Sequence, residues 1–227
     1  GVTLDPVKIV PIKVEYGARI SDEFLYAAEA EKIKILEAFN DGFAKKVAKG
    51  LDLMALHGIN PRTGEASAVI GNNHFDAKVP QKVTYTAATA EESIEASISL
   101  VTGSEGDITG AIISPIASNE LAKLKVNGVK QYPELAWGAN PGHINGLRVD
   151  INKTVENKTT KDRAIVGDFA GMFKWGYAKE IMAEIIKYGD PDGTGRDLKA
   201  YNEICLRAEA WIGWGILDEK AFARVKA

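Results

Sequence analysis

The sequence predicts an elongated α+β fold, and three observations predict it. An apolar stripe of Ile33, Leu36, Phe39, Phe43, Val47, Leu51 and Met54 recurs every three or four residues from Glu29 to Gly58, the spacing of one helix face. Near the other end, Ile204, Leu206, Ala208, Ala210, Ile212, Trp214 and Ile216 alternate against Glu203, Arg207 and Glu209, the spacing of a strand. Between them lies a section of short elements broken by glycine and proline. At ~1.5 Å per residue the helix runs about 40 Å, and at ~3.3 Å per residue the strand spans about the same. The two are expected to pack lengthwise, with Ala208 and Ala210 allowing close approach. The middle section then forms a second, compact domain.

In chain order, Val7 to Tyr16 alternates and reads as a half-buried strand, with Pro11 placing it at a sheet edge or bend. Ser21 can cap a short helix through Tyr26 and Ala27. The long helix follows, weakened at Gly42 and Gly50 by roughly 1 kcal/mol each. Gly58 suits a left-handed cap, and Pro61 stops the helix from resuming. Gly64, Gly71, Asn72 and Asn73 mark a loop before a strand over Val79 to Tyr85. Thr89 opens a second helix, with Glu91 and Glu92 near its positive end and Ile94, Ile98 and Val101 as its buried stripe. A strand over Ile108 to Ile113 runs into Ser114-Pro115, which opens a third helix through Leu124. Val126 to Asn145 reads as loop, Leu147 to Ile151 as strand, and Asn152 to Asp162 as a polar separator. Three more strands are expected at Ala164 to Phe169, Phe173 to Ala178 and Ile181 to Tyr188, then a turn from Asp190 to Gly195.

Composition bounds the function. The 227 residues suffice for one large core or two small ones. A net charge of -3 argues against gripping phosphate backbones by bulk attraction. No stretch approaches the ~20 apolar residues of a membrane span. Lone Cys205 excludes an internal disulfide and fits a reducing compartment. No signal peptide is expected before Gly1, and a first residue other than Met suggests a processed or truncated chain.

Chemical motifs are sparse. His57, His74 and His143 lack metal-ligand spacing with one another or with Cys205, so no metal is expected, and His57 reads as compensation of a helix dipole. Asp190, Asp192 and Thr194 alternate as in a calcium loop, but the third acid and the closing Glu are missing. Gly103, Gly106 and Gly110 are not followed by Lys-Ser or Lys-Thr, so they make no phosphate loop. No serine sits in a nucleophile elbow. Trp175, Trp211 and Trp214 fit core or subunit-interface packing better than a nucleic-acid stacking platform. Lys45, Lys46 and Lys49 read as a solvated helix face. No cofactor and no catalysis are expected.

Three stretches carry a resemblance to a known family. The first is Ile20-Ser21-Asp22-Glu23-Phe24 leading into Ile33 to Gly58, with Asp52 and His57-Gly58. The second is Ala111 to Leu124, a strand, then Ser114-Pro115, then a helix ending Leu121-Ala122-Lys123-Leu124. The third joins Gly167-Asp168-Phe169, then Asp197 to Gly213 with Tyr201-Asn202-Glu203 and Leu206-Arg207-Ala208-Glu209, then Ala221-Phe222-Ala223. In order and spacing the chain resembles the major capsid protein of tailed bacteriophages, the Hong Kong ninety-seven-type fold.

The resemblance implies a peripheral domain on the long "spine" helix (residues 1–84 and 178–212) and an axial domain (85–177 and 213–227). It implies a structural, non-enzymatic subunit that assembles with itself into hexamers and pentamers of an icosahedral shell, enclosing double-stranded DNA without sequence-specific binding. Portal and scaffold or protease proteins would be its partners, with no membrane. Assembly would take place in the host bacterial cytoplasm, and the virion capsid would be its final location. Members carry an N-terminal arm and a full extended hairpin; here residues 2–16 would be the hairpin's return strand. Subunit-interface positions implied are Tyr132, Pro133 and Trp137, on a loop pointing to a symmetry axis, with Asp190, Asp192 and Arg196. Some members cross-link a lysine to an asparagine with a glutamate's help, and Asn202 and Glu209 fall at matching positions. Against a cross-link, Asn202 fits a turn and Glu209 fits an ion pair with Arg207 or a spine lysine. Two alternatives stand beside the phage reading: an encapsulin-like nanocompartment shell, and a metal-assisted enzyme using the Asp190/Asp192 loop.

Overall fold

The computed structural model describes residues 7–157 and 160–227, with the backbone alone for residues 180–182. Residues 2–6 of the expected return strand lie outside the described residues. The chain forms two compact units: Ile9–Leu51 with Trp175–Gly213, and a larger one containing Asp52–Lys174 and Trp214–Ala227. The helices are α1 (Glu29–His57), α2 (Phe75–Lys78), α3 (Ala90–Gly103) and α4 (Pro115–Lys123). The strands before the middle hairpin are β1 (Ile12–Ser21), β2 (Lys82–Thr84) and β3 (Gly110–Ile113). Then come β4 (Lys125–Val126), β5 (Val129–Lys130), β6 (His143–Ile144), β7 (Leu147–Ile151) and β8 (Asp162–Gly167). The last three are β9 (Phe173–Ile186), β10 (Glu203–Ile216) and β11 (Phe222–Lys226). The α+β class and the long helix and strand expected from the sequence are present.

In the smaller unit β10 lies between β1 and β9. The first strand begins five residues later than expected, because Pro11 has no amide to donate and the alternation continues beyond Tyr16 to Ile20. Even-numbered residues of β1 and β10 face one way, with Val14 opposite Ala210 and Tyr16 opposite Ala208. The small alanines stand beside larger side chains of β1. Tyr16 then meets the helix: its ring stacks on Phe39 at 5.4 Å and lies 6.3 Å from Phe43. A Cβ on Gly42 would come within 3.3 Å of the Tyr16 hydroxyl, so this helix-weakening residue makes room for the ring. The two strands expected at 173–178 and 181–188 are one strand, β9, at the sheet edge. Its described side chains from Lys174 to Lys179 and from Ala183 to Ile185 are all exposed.

The larger unit is built on a six-stranded sheet in the order β2-β11-β8-β3-β7-β6. One core joins Ala111, Ile113 and Val149 of the sheet to Leu121 of α4, Tyr132 and Leu135. On α3 Val101 is fully buried and Ile94 and Ile98 pack in partly, while the innermost polar position, Ser97, donates to the Ile94 carbonyl at 2.6 Å. A further core joins Leu56, Phe75, Val79, Ile165, Ile216 and Phe222. The sequence division placed residues 52–84 with the long helix; in the structure Phe75 and Val79 draw them into the larger unit. Residues 126–145, read as loop, contain most of the β4–β5 hairpin, turned by Asn127 and Gly128, both at positive φ, and the short strand β6.

Gly167 explains the Gly-Asp-Phe stretch. A Cβ there would lie 2.2 Å from the Ala221 carbonyl oxygen, so only glycine lets β8 approach the start of β11. The Asp168 amide donates to that same oxygen at 3.1 Å, and its carboxylate accepts from the Thr109 hydroxyl and the Gly171 amide. Phe169 stacks with Phe75 and meets Phe222 edge-on. Gly167-Asp168-Phe169 and Ala221-Phe222-Ala223, 54 residues apart, are therefore one packing motif.

His57 does more than face the helix dipole. It is buried, with Nδ1 2.8 Å from Asp76 and Nε2 2.7 Å from the Thr154 carbonyl oxygen. Two acceptors call for a proton on each nitrogen. Burial pushes the ring toward neutrality, but the Asp76 hydrogen bond and charge, with the Thr154 carbonyl, outweigh it and raise its pKa. Arg224 lies alongside, its guanidinium 2.6 Å from Asp76 and 2.7 Å from Asp162. Burial pushes the Asp162 carboxyl up to about 6, against the pull of Arg224.

Candidate functional site

The loop after β9 is organised by one side chain. Leu198 is fully buried and its amide donates to the Gly189 carbonyl at 2.8 Å, closing the loop at its base. Arg19, projecting from β1, fills the centre. Its guanidinium donates to Asp190 at 2.6 Å, to both carboxylate oxygens of Asp192, and to the Thr194 hydroxyl at 2.9 Å. It also reaches the Arg196 carbonyl at 3.0 Å and Glu203 at 3.2 Å. Arg196 in turn pairs with Glu203 at 2.6 Å and lies over the Tyr201 ring at 4.4 Å. The hydrogen bonds from Arg19 hold the Asp192 carboxyl well below the usual range. The spacing that suggested a calcium loop thus gathers its carboxylates around a guanidinium. Among the described residues no group of three or more His, Cys, Asp or Glu is placed to hold a metal ion.

Sequence reasoning missed Arg19. Nothing beside it in the strand marks it out, and its partners lie more than 170 positions away. The only local trace is the excess of acids in a turn with no cation of its own until Arg196.

The structure separates the three residues expected on the axial loop. Tyr132 belongs to the core, 8% exposed, and its hydroxyl donates to Glu91 at 2.5 Å. Burial, then that bond, raises its pKa. Pro133 opens a short 3-10 turn on the surface. Trp137 adopts φ 63, the left-handed region a bulky residue rarely enters, and projects fully into solvent.

Asn202 and Glu209 are also apart. Asn202 is exposed, in a left-handed conformation at φ 54, and its carbonyl accepts from the Asp22 amide at 2.9 Å. Glu209 sits six strand positions beyond Glu203, roughly 20 Å along β10. It pairs with Lys13 at 2.7 Å and Arg207 at 2.5 Å. The Lys13 hydrogen bond and these charges lower its pKa, the opposite of what a neutral-pH base for lysine needs.

Several large apolar side chains of the smaller unit remain uncovered. Ile33 and Leu36 continue the helix stripe beyond Phe39 but are 53% and 38% exposed. Trp175 and Tyr177 on β9, in edge-to-face contact, are about half exposed. Trp211 is partly exposed, whereas Trp214 is buried with its indole N–H donating to the Asn73 carbonyl.

No protein-family model matches the chain, and no curated protein matches it either. Solved structures do. A chain from Mycobacterium phage Ogopogo is 31% identical, over 96% of this chain and 76% of that one, with a TM-score of 0.81. A chain from Gordonia phage Cozz is 24% identical over 100% and 76%, at 0.78. A subunit in the capsid of a native GTA particle, computed with C5 symmetry, matches over 98% and 74% at 15% identity and 0.65. The chain belongs to the major capsid proteins of tailed bacteriophages. As a capsid subunit it has a structural role. Its exposed surface carries the projecting Trp137 and the bare apolar residues Ile33, Leu36, Trp175 and Tyr177.

Proposed function

We propose that this capsid protein closes into hexamers and pentamers of an icosahedral shell around double-stranded DNA. The observation that carries the proposal is the match of 98% of the chain to the capsid of a native GTA particle. The exposed Ile33, Leu36, Trp175 and Tyr177 add support, because a monomer gains nothing by leaving them wet. In this reading the smaller unit is the peripheral domain and the larger is the axial domain. Trp137 and Pro133 face a symmetry axis, with Tyr132 as their buried anchor, and the surface of the Arg19 loop, with Arg196, meets a neighbour. Portal and scaffold or protease proteins are its partners, and assembly proceeds in the host bacterial cytoplasm. DNA is enclosed without sequence-specific contacts.

Electron microscopy of full-length protein tests the proposal. Closed shells with five- and six-fold vertices, and nuclease-resistant DNA in particles from infected cells, are expected. Particles filled with a protein cargo would turn the reading to a nanocompartment. Monomers alone at high concentration would end it.

A further inference from the structure

The β4–β5 hairpin carries charge that no ion pair among the described residues neutralises. Val126 faces Val129 beside the turn, and Lys125 faces Lys130 one step further. The Gln131 amide donates to the Leu124 carbonyl at 3.1 Å, which makes 124 and 131 a hydrogen-bonded pair. The next pair, Lys125 with Lys130, is then of the other kind, in which side chains stand closest. Like charges directly opposite are destabilising. Both lysines are exposed, and among the described residues neither has an ion-pair partner, whereas adjacent Lys123 pairs with Glu120 at 3.0 Å. Val126 and Val129 are 57% and 66% exposed. One solvated surface lysine needs no explanation. Two held opposite each other on one face of the ribbon, with the two bare valines on its other face, present a concentrated cationic surface.

The same unit carries the complement. On α3, Glu92 and Glu95 point to solvent, and Leu100, 41% exposed, lies two turns beyond Glu92. Neither carboxylate has an ion-pair partner among the described residues. Glu91 and Glu134 stand nearby, since both act on the Tyr132 hydroxyl together with Glu95. First-turn placement suits Glu92 to the helix dipole, but Glu95 lies beyond that turn.

We infer that the hairpin of one copy docks on α3 of a second copy, with Lys125 and Lys130 against Glu92 and Glu95. The two patches are different surfaces, so the contact is head-to-tail, and repeated around an axis it generates a ring. The inference rests on the shell reading and goes beyond it by naming both sides of a contact within the ring.

The test uses full-length protein in sedimentation velocity and negative-stain microscopy, with circular-dichroism melts to establish folding. Lys125→Glu with Lys130→Glu, and separately Glu92→Lys with Glu95→Lys, should each raise the concentration needed for assembly by roughly tenfold or more, because like charges then meet. Combining all four should restore assembly. A hairpin reversal that assembles like the parent overturns the contact, as does a loss that the combination leaves unrepaired. The milder pair Lys125→Gln and Lys130→Gln should weaken the salt dependence of parental assembly, and an unchanged dependence also overturns the contact. A parent that never forms oligomers sinks the shell reading, and the contact with it.

Discussion

Arg19 holds a whole loop with one planar cation. Its five donors reach carboxylates, a hydroxyl and a carbonyl in one plane of approach, which a lysine's point charge does not match. Arg19→Lys is therefore expected to behave much like Arg19→Ala: limited proteolysis should cut both between residues 189 and 198 while the parent resists. Equal resistance in Arg19→Ala would show that the loop stands without its clamp. His57 governs a second test. Its folded-state pKa is raised, so its stabilising contribution is complete below the ordinary value of 6.5 and is lost as pH climbs through the higher folded value. Thermal melts should show stability falling across that window, and His57→Gln should flatten the slope. Neither role was readable from sequence. Both depend on partners that only the fold brings near, and a single Arg or His carries no periodicity to announce them.

The long helix and β10 were legible because many residues repeat one choice, and a wrong register would bury charge along their whole length. Shorter elements were legible only where turn chemistry spoke. Ser114-Pro115 did so, its hydroxyl accepting from the Ala117 amide at the start of α4. Asn127-Gly128 spoke equally clearly, yet two-residue strands leave too little alternation to confirm a hairpin. The split of β9 arose at Lys179 and Glu180, charges that an edge strand tolerates and a central one does not. At this scale the spine makes a sharp prediction. Phe43→Ala should cost about 2–5 kcal/mol in denaturant melts, because Phe43 is buried beside Tyr16, whereas Lys45→Ala should change little. Equal shifts would remove Phe43 from the core. Gly167→Ala should also destabilise strongly, since β8 and β11 would have to part around the new methyl group.

Across the whole molecule, the order of elements carried the family likeness, and the surface chemistry that the proposed shell would require did not show. Interface residues lack the periodicity of core residues, because what they pack against is another chain. Tyr132 shows the difficulty: an aromatic in a loop reads as a contact, while in the fold it lies in the same core as Leu135. The lowered pKa of Glu209 leads to a prediction about the finished shell: denaturing electrophoresis of assembled full-length protein should give monomer bands only. Ladders that vanish in Asn202→Ala would reverse it. The smaller unit also ends in β9, fourteen residues without a proline, open along one side. Until a neighbour covers them, its unpaired amides and carbonyls are a template that any extended chain can join, including a partly folded copy of itself. The hazardous time for this protein is thus the interval between leaving the ribosome and entering a lattice.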